Sequence, residues 1–592
     1  MFRQKNKVVI CLAIVTLICF CLCQYGLQRI FGFSLYPDEF GYWAPAASML
    51  GMDWSDTLSL GSYYSFGYSV ILAPILYFVE DSIAAYRTAV VVNMILQCVG
   101  IWLVYWLMKR LFPEKDGMET AIISGIAVLY PAWIFYVQMT MTEALLLFLY
   151  ILIACLLLRF LKKPGLAAGA LLSVPLVYIF MVHMRSIGIV AAGALTILLW
   201  GLGRMDEKNG RKVLVLLALL AVLFLAGLCI KEGVIVSLYH GTTRDELKYN
   251  DFTGQWAKVA YLFSTEGVLA FLGSLCAKLL YLGMATFGLA WRGLWYAGKR
   301  TLTLLNNWKD KEKPAEDFFW LFILLASLAQ IGVSIIYTIG AADPGNERFD
   351  LFLHGRYSEL IVPFLTAAGL RQLMDSGKLW KETAVLLLFT LLFGVVTFAF
   401  IWRADGMTNV HGYFMIGMSY LLKEENFNPE GFTVAAIILG TVLLMGVTLI
   451  IYLYRKMAQM EWLLFLILAL QVFLGVQASE HYVYVGNSYG YMDIQTADHL
   501  EKILEEEKAA GKEGGRVIHL YEGGTPYIEQ VQFRLRDLEI EVWNLEKEDF
   551  SPADLNPEDK VITQNTSDWN ETMRETYEHN WGSGHLYLFY NG

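Results

Sequence analysis

Apolar residues fall along this chain in long runs separated by short polar stretches. The runs lie at residues 8–27, 83–108, 119–138, 143–160, 165–183, 186–202, 213–230, 271–291, 318–338, 357–371, 383–402, 432–453 and 461–478. Most hold about 20 apolar residues, the length a helix needs to cross a hydrocarbon core. The pattern therefore predicts a polytopic α-helical membrane protein with about 13 transmembrane helices. A shorter apolar stretch, Gly67 to Phe78, is interrupted by Pro74 and reads as a surface or re-entrant helix. The first run follows Arg3, Lys5 and Lys7, and no small-x-small cleavage site comes after it. It reads as a retained span rather than a signal peptide.

Basic residues cluster after alternate runs: Lys109/Arg110/Lys115, Arg159/Lys162/Lys163, Arg204/Lys208/Arg211/Lys212, Lys299/Arg300/Lys309/Lys311/Lys313, Arg371/Lys378/Lys381 and Arg455/Lys456. The positive-inside rule assigns those loops and the N-terminus to the cytoplasm. An odd number of spans then places the C-terminal segment outside. Segments 28–82, 139–142, 231–270, 339–356 and 403–430 share that side. They are richer in Asp, Glu, Trp and Tyr, so chemistry is expected there.

After residue 478 the pattern changes. A charged helix (Asp498 to Ala510) leads to a strand (Val517 to Tyr521), a helix (Pro526 to Leu535), and strands near Glu539 to Trp543 and Lys560 to Thr563. A helix near Trp569 to Tyr577 and a last strand, Leu586 to Tyr590, complete it. Alternation of this kind suggests a mostly parallel sheet with covering helices. Two units are expected: a membrane region, 1–478, whose first outer loop (28–82) carries surface helices, and an extracytoplasmic α/β domain, 479–592. Gly523 and Gly524 are too few for a dinucleotide fingerprint and read as a turn.

Composition sharpens this picture. The 592 residues are 56% hydrophobic and only 17% charged, which excludes an ordinary soluble enzyme. The net charge of −10 is unevenly spread. From Ala478 onward there are 9 Lys and Arg against 23 Asp and Glu, a net of −14, which leaves +4 for everything before. The eight cysteines all lie in apolar runs, so the outer domain is not disulfide-stapled. That pattern favours a bacterial plasma membrane. Two glycosylation-type triplets, at Asn565 and Asn570, are of a kind that recurs by chance. No loop combines a dense basic stripe with interleaved aromatics, so nucleic acid is not an expected partner.

The first outer loop carries Tyr36-Pro37-Asp38-Glu39-Phe40-Gly41-Tyr42-Trp43. Phe40, Trp43, Ala47 and Leu50 share one helical face, which predicts an amphipathic helix along the membrane with Asp38 at its N-terminus. Asp38 then either caps the helix or acts as a base, and the two roles are compatible. Glu143 lies where a span meets the outer face, as either a second functional acid or a group that reaches back to water. Arg185, His354 and Arg356 share that side. Arginine suits a phosphate through its permanently charged fork, and at a span end it also serves as a headgroup anchor. Asp38, Glu39 and Glu143 together offer hard oxygen ligands for a divalent cation. Asp343, Glu347 and Asp350 match no calcium loop.

Asp38 and Glu39 with Tyr42, Met49-Leu50 and Asp53-Trp54, then Gly67-Tyr68 and Pro74, then a span ending Lys109-Arg110-Leu111-Phe112, resemble the GT-C membrane glycosyltransferases. The likeness is to the aminoarabinose transferases and protein O-mannosyltransferases that use polyprenyl-phosphate sugars. It covers about the first 200 residues, thins afterwards except at Arg356-Tyr357 with Pro363, and is absent from the tail. The resemblance implies Asp38 as catalytic base, an assisting acid at Glu143, and outer-face arginines on the donor phosphate. It also implies a cell-envelope lipid, glycan or protein as acceptor. Relatives often carry a basic residue just before the second surface helix, where this chain has Tyr63-Tyr64-Ser65-Phe66. A tyrosine hydroxyl would substitute there, and Tyr42, Tyr63 and Tyr64 are expected to line the donor or acceptor.

The resulting expectation is an inverting transfer of a sugar from a lipid-phosphate donor, with Asp38 assisted by Glu39 or Glu143, and with Arg185, Arg356 and His354 toward the phosphate. A transporter or flippase for a glycolipid is the competing class. Such proteins place ionisable residues near the bilayer midplane on broken helices and show repeated halves. Here the charges sit at outer span ends and no repeat is visible. A membrane anchor for the tail would not need so many spans.

Overall fold

The structure, a computed structural model, describes residues 2–35, 38–61, 63, 65–203, 207–238, 254–308, 313–342, 346–403, 407–423, 427–457, 460–512, 514–523, 527–547 and 549–592. Among these, ten of the thirteen apolar runs form helices long and apolar enough to cross a membrane. They are Asn6–Leu27, Ser82–Leu111, Glu143–Lys162, Met184–Gly203, Gly210–Leu238, Thr265–Ala285, Ala315–Tyr337, Leu379–Arg403, Pro429–Lys456 and Glu461–Ala509.

The other three runs form shorter helices, for reasons visible in the residues. Run 119–138 splits into Gly117–Val128 and Pro131–Tyr136, because Pro131 has no N–H to continue the first helix and starts a new one. Run 165–183 becomes Leu166–Val182, with Pro175 inside it. Run 357–371 opens with a 3-10 turn, Glu359–Ile361, before a helix of 14 residues, Val362–Asp375. That helix is about 21 Å long, short of a hydrocarbon core of about 30 Å.

Span ends are set by local chemistry. Asp81 accepts from the Ala84 N–H at 2.8 Å, and Asp116 from the Met118 N–H at 2.7 Å, both as N-caps. Lys109 and Arg110, Arg159 and Lys162, and Arg455 and Lys456 close the last turns of their helices, where the helix dipole favours cations. Lys162 pairs with Glu316 at 2.6 Å and Lys115 with Asp375 at 2.9 Å, which gathers several of these basic ends on one face of the bundle.

The opposite face carries the first loop, residues 346–358 and residues 407–423. The last two are laced together: the N–H groups of Gly355 and Arg356 donate to the Phe414 carbonyl at 2.9 and 3.3 Å, and the His411 N–H donates to Asp350 at 3.1 Å. Two expectations change here. The helix Phe40–Met49 is buried from Phe40 to Ala47 and is no amphipathic surface helix, because helix Ser69–Phe78 packs along it and Phe533 of the C-terminal domain lies against Trp43. Asp38 does not cap it. The N-cap is Glu39, and its carboxylate turns back to the chain before the helix. Helix Ser69–Phe78 keeps an apolar face exposed, with Tyr77 65% and Phe78 79% accessible.

The C-terminal domain is a five-stranded sheet: β1 (Val517–Tyr521), β2 (Glu541–Asn544), β3 (Lys560–Gln564), β4 (His579–Ser583) and β5 (Leu586–Tyr590), in the order β2-β1-β3-β5-β4. β1 is parallel to β2 and β3, whereas β5 is antiparallel to β3 and β4. The sheet is therefore half parallel rather than mostly so. The unforeseen strand β4 is polar and exposed, and it pairs with β5 across a tight turn in which Gly584 takes φ 63°. Entry to the domain is not a linker. Residues Glu461–Ala509 form one continuous helix with a π turn at Glu480–Val485, so the composition change at 478 falls inside a helix.

Candidate active site

Four charged side chains from four separate segments meet on the loop-bearing face. Arg356 donates through Nη1 to Asp38 Oδ2 at 2.8 Å and through Nε to Glu143 Oε1. Arg185 donates through Nη2 to the same Glu143 oxygen at 2.7 Å. Glu143, Arg185 and Arg356 are almost sealed, with side-chain exposures of 1%, 6% and 6%, while Asp38 is 19% exposed. Asp38 is thus the member of the cluster that reaches solvent. Burial works against the charge of Arg356, but the carboxylates of Glu143 and Asp38 outweigh it and hold the guanidinium well above its usual pKa.

Two buried polar atoms in the cluster have no partner: Oε2 of Glu143 and Nη1 of Arg185. Unmade hydrogen bonds of this kind cost about 1–3 kcal/mol each. Beside it lies an apolar cavity of about 360 Å³. Its lining includes Arg185, Ile187, Trp256, Val333, Ile336 and Tyr357, and it runs between helices Met184–Gly203 and Ala315–Tyr337. Arg185 lies over the Tyr357 ring at 5.1 Å, at the mouth of this cavity.

Glu39 is not part of the cluster. Its Oε1 accepts from the N–H groups of Ser34 (2.7 Å) and Leu35 (3.0 Å). Its Oε2 accepts from the Thr140 N–H (2.8 Å), the Thr140 hydroxyl (2.7 Å) and the Tyr86 hydroxyl. Burial pushes its carboxyl up, against those hydrogen bonds, which favour the ionised form. The side chain pins the first loop to the turn that precedes Glu143, and so fixes Asp38 relative to Glu143. Trp43 Nε1 donates to the Thr140 hydroxyl at 3.0 Å and extends the same brace.

Tyr42 is fully buried and faces the cluster: burial first, and then the Glu143 carboxylate, raise its hydroxyl pKa. Tyr63 is also fully buried, and Tyr64 lies outside the described residues. His354 is buried two residues before Arg356. Its ring stacks on Phe414 at 4.8 Å, and burial, followed by the charges of Lys278 and Arg356, keeps its pKa well below the usual range. The His354 ring and the Arg356 guanidinium thus both lie against Phe414.

The expected oxygen ligands of a divalent cation do not converge. Oδ2 of Asp38 and Oε1 of Glu143 each face an arginine, and both oxygens of Glu39 are committed to N–H and O–H donors. Among the described residues no group of three or more His, Cys, Asp or Glu is placed to hold a metal ion. Of the acidic group Asp343, Glu347 and Asp350, Asp350 pairs with Arg348 at 2.6 Å, and Asp343 lies outside the described residues.

Several neighbours were not foreseen. Glu359 accepts from the Tyr281 hydroxyl, which in turn accepts from the Gly417 N–H at 3.0 Å. Lys278 is buried in the helix Thr265–Ala285 and donates to the Leu351 carbonyl at 2.6 Å. A lysine and a glutamate at apolar positions were the available signals for both. Phe414, which receives His354 and lies 5.7 Å from Arg356, gave none.

The sequence matches no family model and no curated protein. Among solved structures, the chain is similar to ArnT from Cupriavidus metallidurans in the apo state, with a TM-score of 0.52 and 11% identity over 99% of this chain and 98% of that one. It is also similar to the same ArnT bound to undecaprenyl phosphate, with a TM-score of 0.48 and 12% identity over 98% and 97% of the two chains. An archaeal oligosaccharyltransferase, AglB from Archaeoglobus fulgidus in complex with an inhibitory peptide and a dolichol-phosphate, gives a TM-score of 0.45 and 11% identity over 95% of this chain and 70% of that one. The apo ArnT match spans both the membrane helices and the C-terminal domain, so the chain shares the overall fold of that ArnT.

Proposed function

We propose that this chain is a membrane glycosyltransferase that moves a sugar from a polyprenyl-phosphate carrier to an acceptor at the outer face of a bacterial plasma membrane. The observation that carries the reading is the position of Arg185. One side of it lines an apolar cavity of about 360 Å³, and its Nη1 is left unpaired in a buried charged cluster. A lipid phosphate has the same two halves, an apolar chain and a head that wants a guanidinium. The fold shared with ArnT supports the reading, and that protein has been solved with undecaprenyl phosphate bound.

In this mechanism Asp38 takes the proton of the acceptor hydroxyl as the hydroxyl oxygen forms a bond to the anomeric carbon. The bond from that carbon to the phosphate oxygen breaks, and its electron pair leaves with the lipid phosphate, whose charge Arg185 holds. A lipid phosphate is already a good leaving group, so one base and positive charge suffice, without the acid that a glycosidase needs. Attack opposite the leaving group inverts the anomeric centre. Arg356 holds Asp38 in place and, with Arg185, balances Glu143. The N-terminus is cytoplasmic in this scheme, and the loop-bearing face and the C-terminal domain are outside.

The test is Asp38→Asn in the full chain reconstituted with undecaprenyl-phosphate pentose and hexose donors. Transfer is expected to vanish while undecaprenyl phosphate still binds. Transfer at the parental rate would remove Asp38 from the chemistry.

A further inference from the structure

Among the described residues outside the Asp38 cluster, one buried acid has no hydrogen-bond partner on either carboxylate oxygen. Glu529, in the helix Ile528–Arg534 of the C-terminal domain, is fully enclosed, and neither of its carboxylate oxygens makes a hydrogen bond. Its neighbours dock this helix onto the first loop. Gln530 Nε2 donates to the Phe33 carbonyl at 3.3 Å, and Gln532 Oε1 accepts from the Thr57 hydroxyl at 3.2 Å. The Phe533 ring lies 4.9 Å from both Phe33 and Trp43. The helix therefore sits over the segment that carries Asp38, and the charges acting on Glu529 are those of Asp38 and Glu39.

The docking contacts of Gln530, Gln532 and Phe533 do not involve the carboxyl of Glu529. An unpartnered buried carboxyl destabilises a fold, and one beside two further carboxylates does so more. Such a group is accounted for when a ligand supplies the missing hydrogen bonds.

We propose that Glu529 is the acceptor-side contact of the active site, exchanging hydrogen bonds with hydroxyl groups of a polyhydroxylated acceptor bound between the C-terminal domain and Asp38. This rests on the glycosyl-transfer reading above and names the acceptor class for it. Burial, and after it the carboxylates of Asp38 and Glu39, push the Glu529 carboxyl up, and a fully enclosed carboxyl with no donor on either oxygen favours its neutral form. A neutral carboxyl offers one donor and several acceptor sites, the complement of adjacent sugar hydroxyls. A cationic amine would require it ionised next to two like charges. The C-terminal domain thus forms one wall of the acceptor site.

The experiment uses the full chain in lipid nanodiscs, with Glu529→Ala and Glu529→Gln beside the parent. Three quantities are measured: undecaprenyl phosphate binding, transfer from undecaprenyl-phosphate pentose and hexose donors, and its dependence on a titrated glycolipid extract of the producing cells. The expected result is unchanged undecaprenyl phosphate binding in both variants, with the apparent KM for the extract about tenfold higher in Glu529→Ala, as for one or two lost hydrogen bonds. Glu529→Gln, which keeps a donor and an acceptor, recovers most of that loss. An unchanged KM in Glu529→Ala, or a fall in kcat and phosphate binding with KM constant, overturns the proposal and leaves the transferase reading standing. Absence of transfer by the parent with every donor overturns the transferase reading itself.

Discussion

Nη1 of Arg356 donates to Oδ2 of Asp38 at 2.8 Å, joining residues 318 positions apart in the chain. Through Nε the same guanidinium also holds Glu143, so the first loop, the start of the third long helix and the residue 353–358 loop are locked by one side chain. The geometry is that of a planar fork with two acids at fixed directions, and it makes arginine and lysine unequal here.

Arg356→Lys is accordingly expected to lower kcat about 100-fold, because a single ammonium cannot hold both carboxylates and Asp38 loses its position. Steady-state transfer with the reconstituted protein checks this. A change of under threefold would show that Asp38 is held by other contacts.

Glu39→Gln tests the brace. Five donors converge on this carboxylate, and an amide must point its NH₂ at some of them, which is expected to cost about 1–3 kcal/mol of stability. Thermal unfolding in nanodiscs reads it out. An unshifted melting temperature would mean that the loop is fixed without Glu39.

Ile336→Trp fills the apolar cavity beside Arg185 without touching the cluster. Undecaprenyl phosphate affinity is expected to fall about tenfold, equivalent to roughly 1.4 kcal/mol of lost apolar contact. Equal affinity in the variant and the parent would place the lipid chain elsewhere.

Phe533→Ala empties the aromatic contact with Phe33, Trp43 and Trp54, whose rings lie 4.9, 4.9 and 6.2 Å away. A loss of about 3–5 kcal/mol is expected at this interface, with faster proteolysis of the C-terminal domain. Cleavage kinetics like those of the parent would argue against the docked arrangement.

Acidity should act on the C-terminal sheet through His519. The ring is fully buried in β1 against the Ile562 carbonyl at 3.1 Å, and burial pushes its pKa from 6.5 down to about 4. Between those values the unfolded chain binds the proton and the folded one does not. Stability that is complete above pH 6.5 is therefore lost as pH falls toward 4, by about 3 kcal/mol in all. Urea unfolding of the domain across this range should show the slope, and His519→Phe should flatten it. An identical slope in the variant would assign the effect to other groups.

Much of the fold was legible because membrane helices announce themselves: runs such as 143–160 and 383–402 are apolar at nearly every position. The other three runs form shorter helices than hydropathy alone suggests, because it registers neither Pro131 as a new start nor the irregular turns around Glu359. Asp38, Glu143, Arg185 and Arg356 were visible as charges at span ends, where isolated charge is costly. Their pairing was not, since it depends on how distant segments pack. Glu39 shows the limit most clearly. It is adjacent to Asp38 and chemically alike, yet one peptide unit turns it from the cluster to the loop backbone. Glu529 lies in a helix that was legible as such, but its burial was not, since Ile528–Arg534 mixes polar and apolar positions.

The unbroken helix Glu461–Ala509 carries a practical consequence for anyone who would cut or graft this protein. A truncation at residue 479, where composition invites it, severs a rod in mid-turn, strands the Arg29–Glu480 pair and uncovers the aromatic socket of Phe533. Exchange of the C-terminal domain between relatives calls for a junction beyond Ala509, with the rod left attached to the membrane half as the shaft on which any replacement head must be keyed.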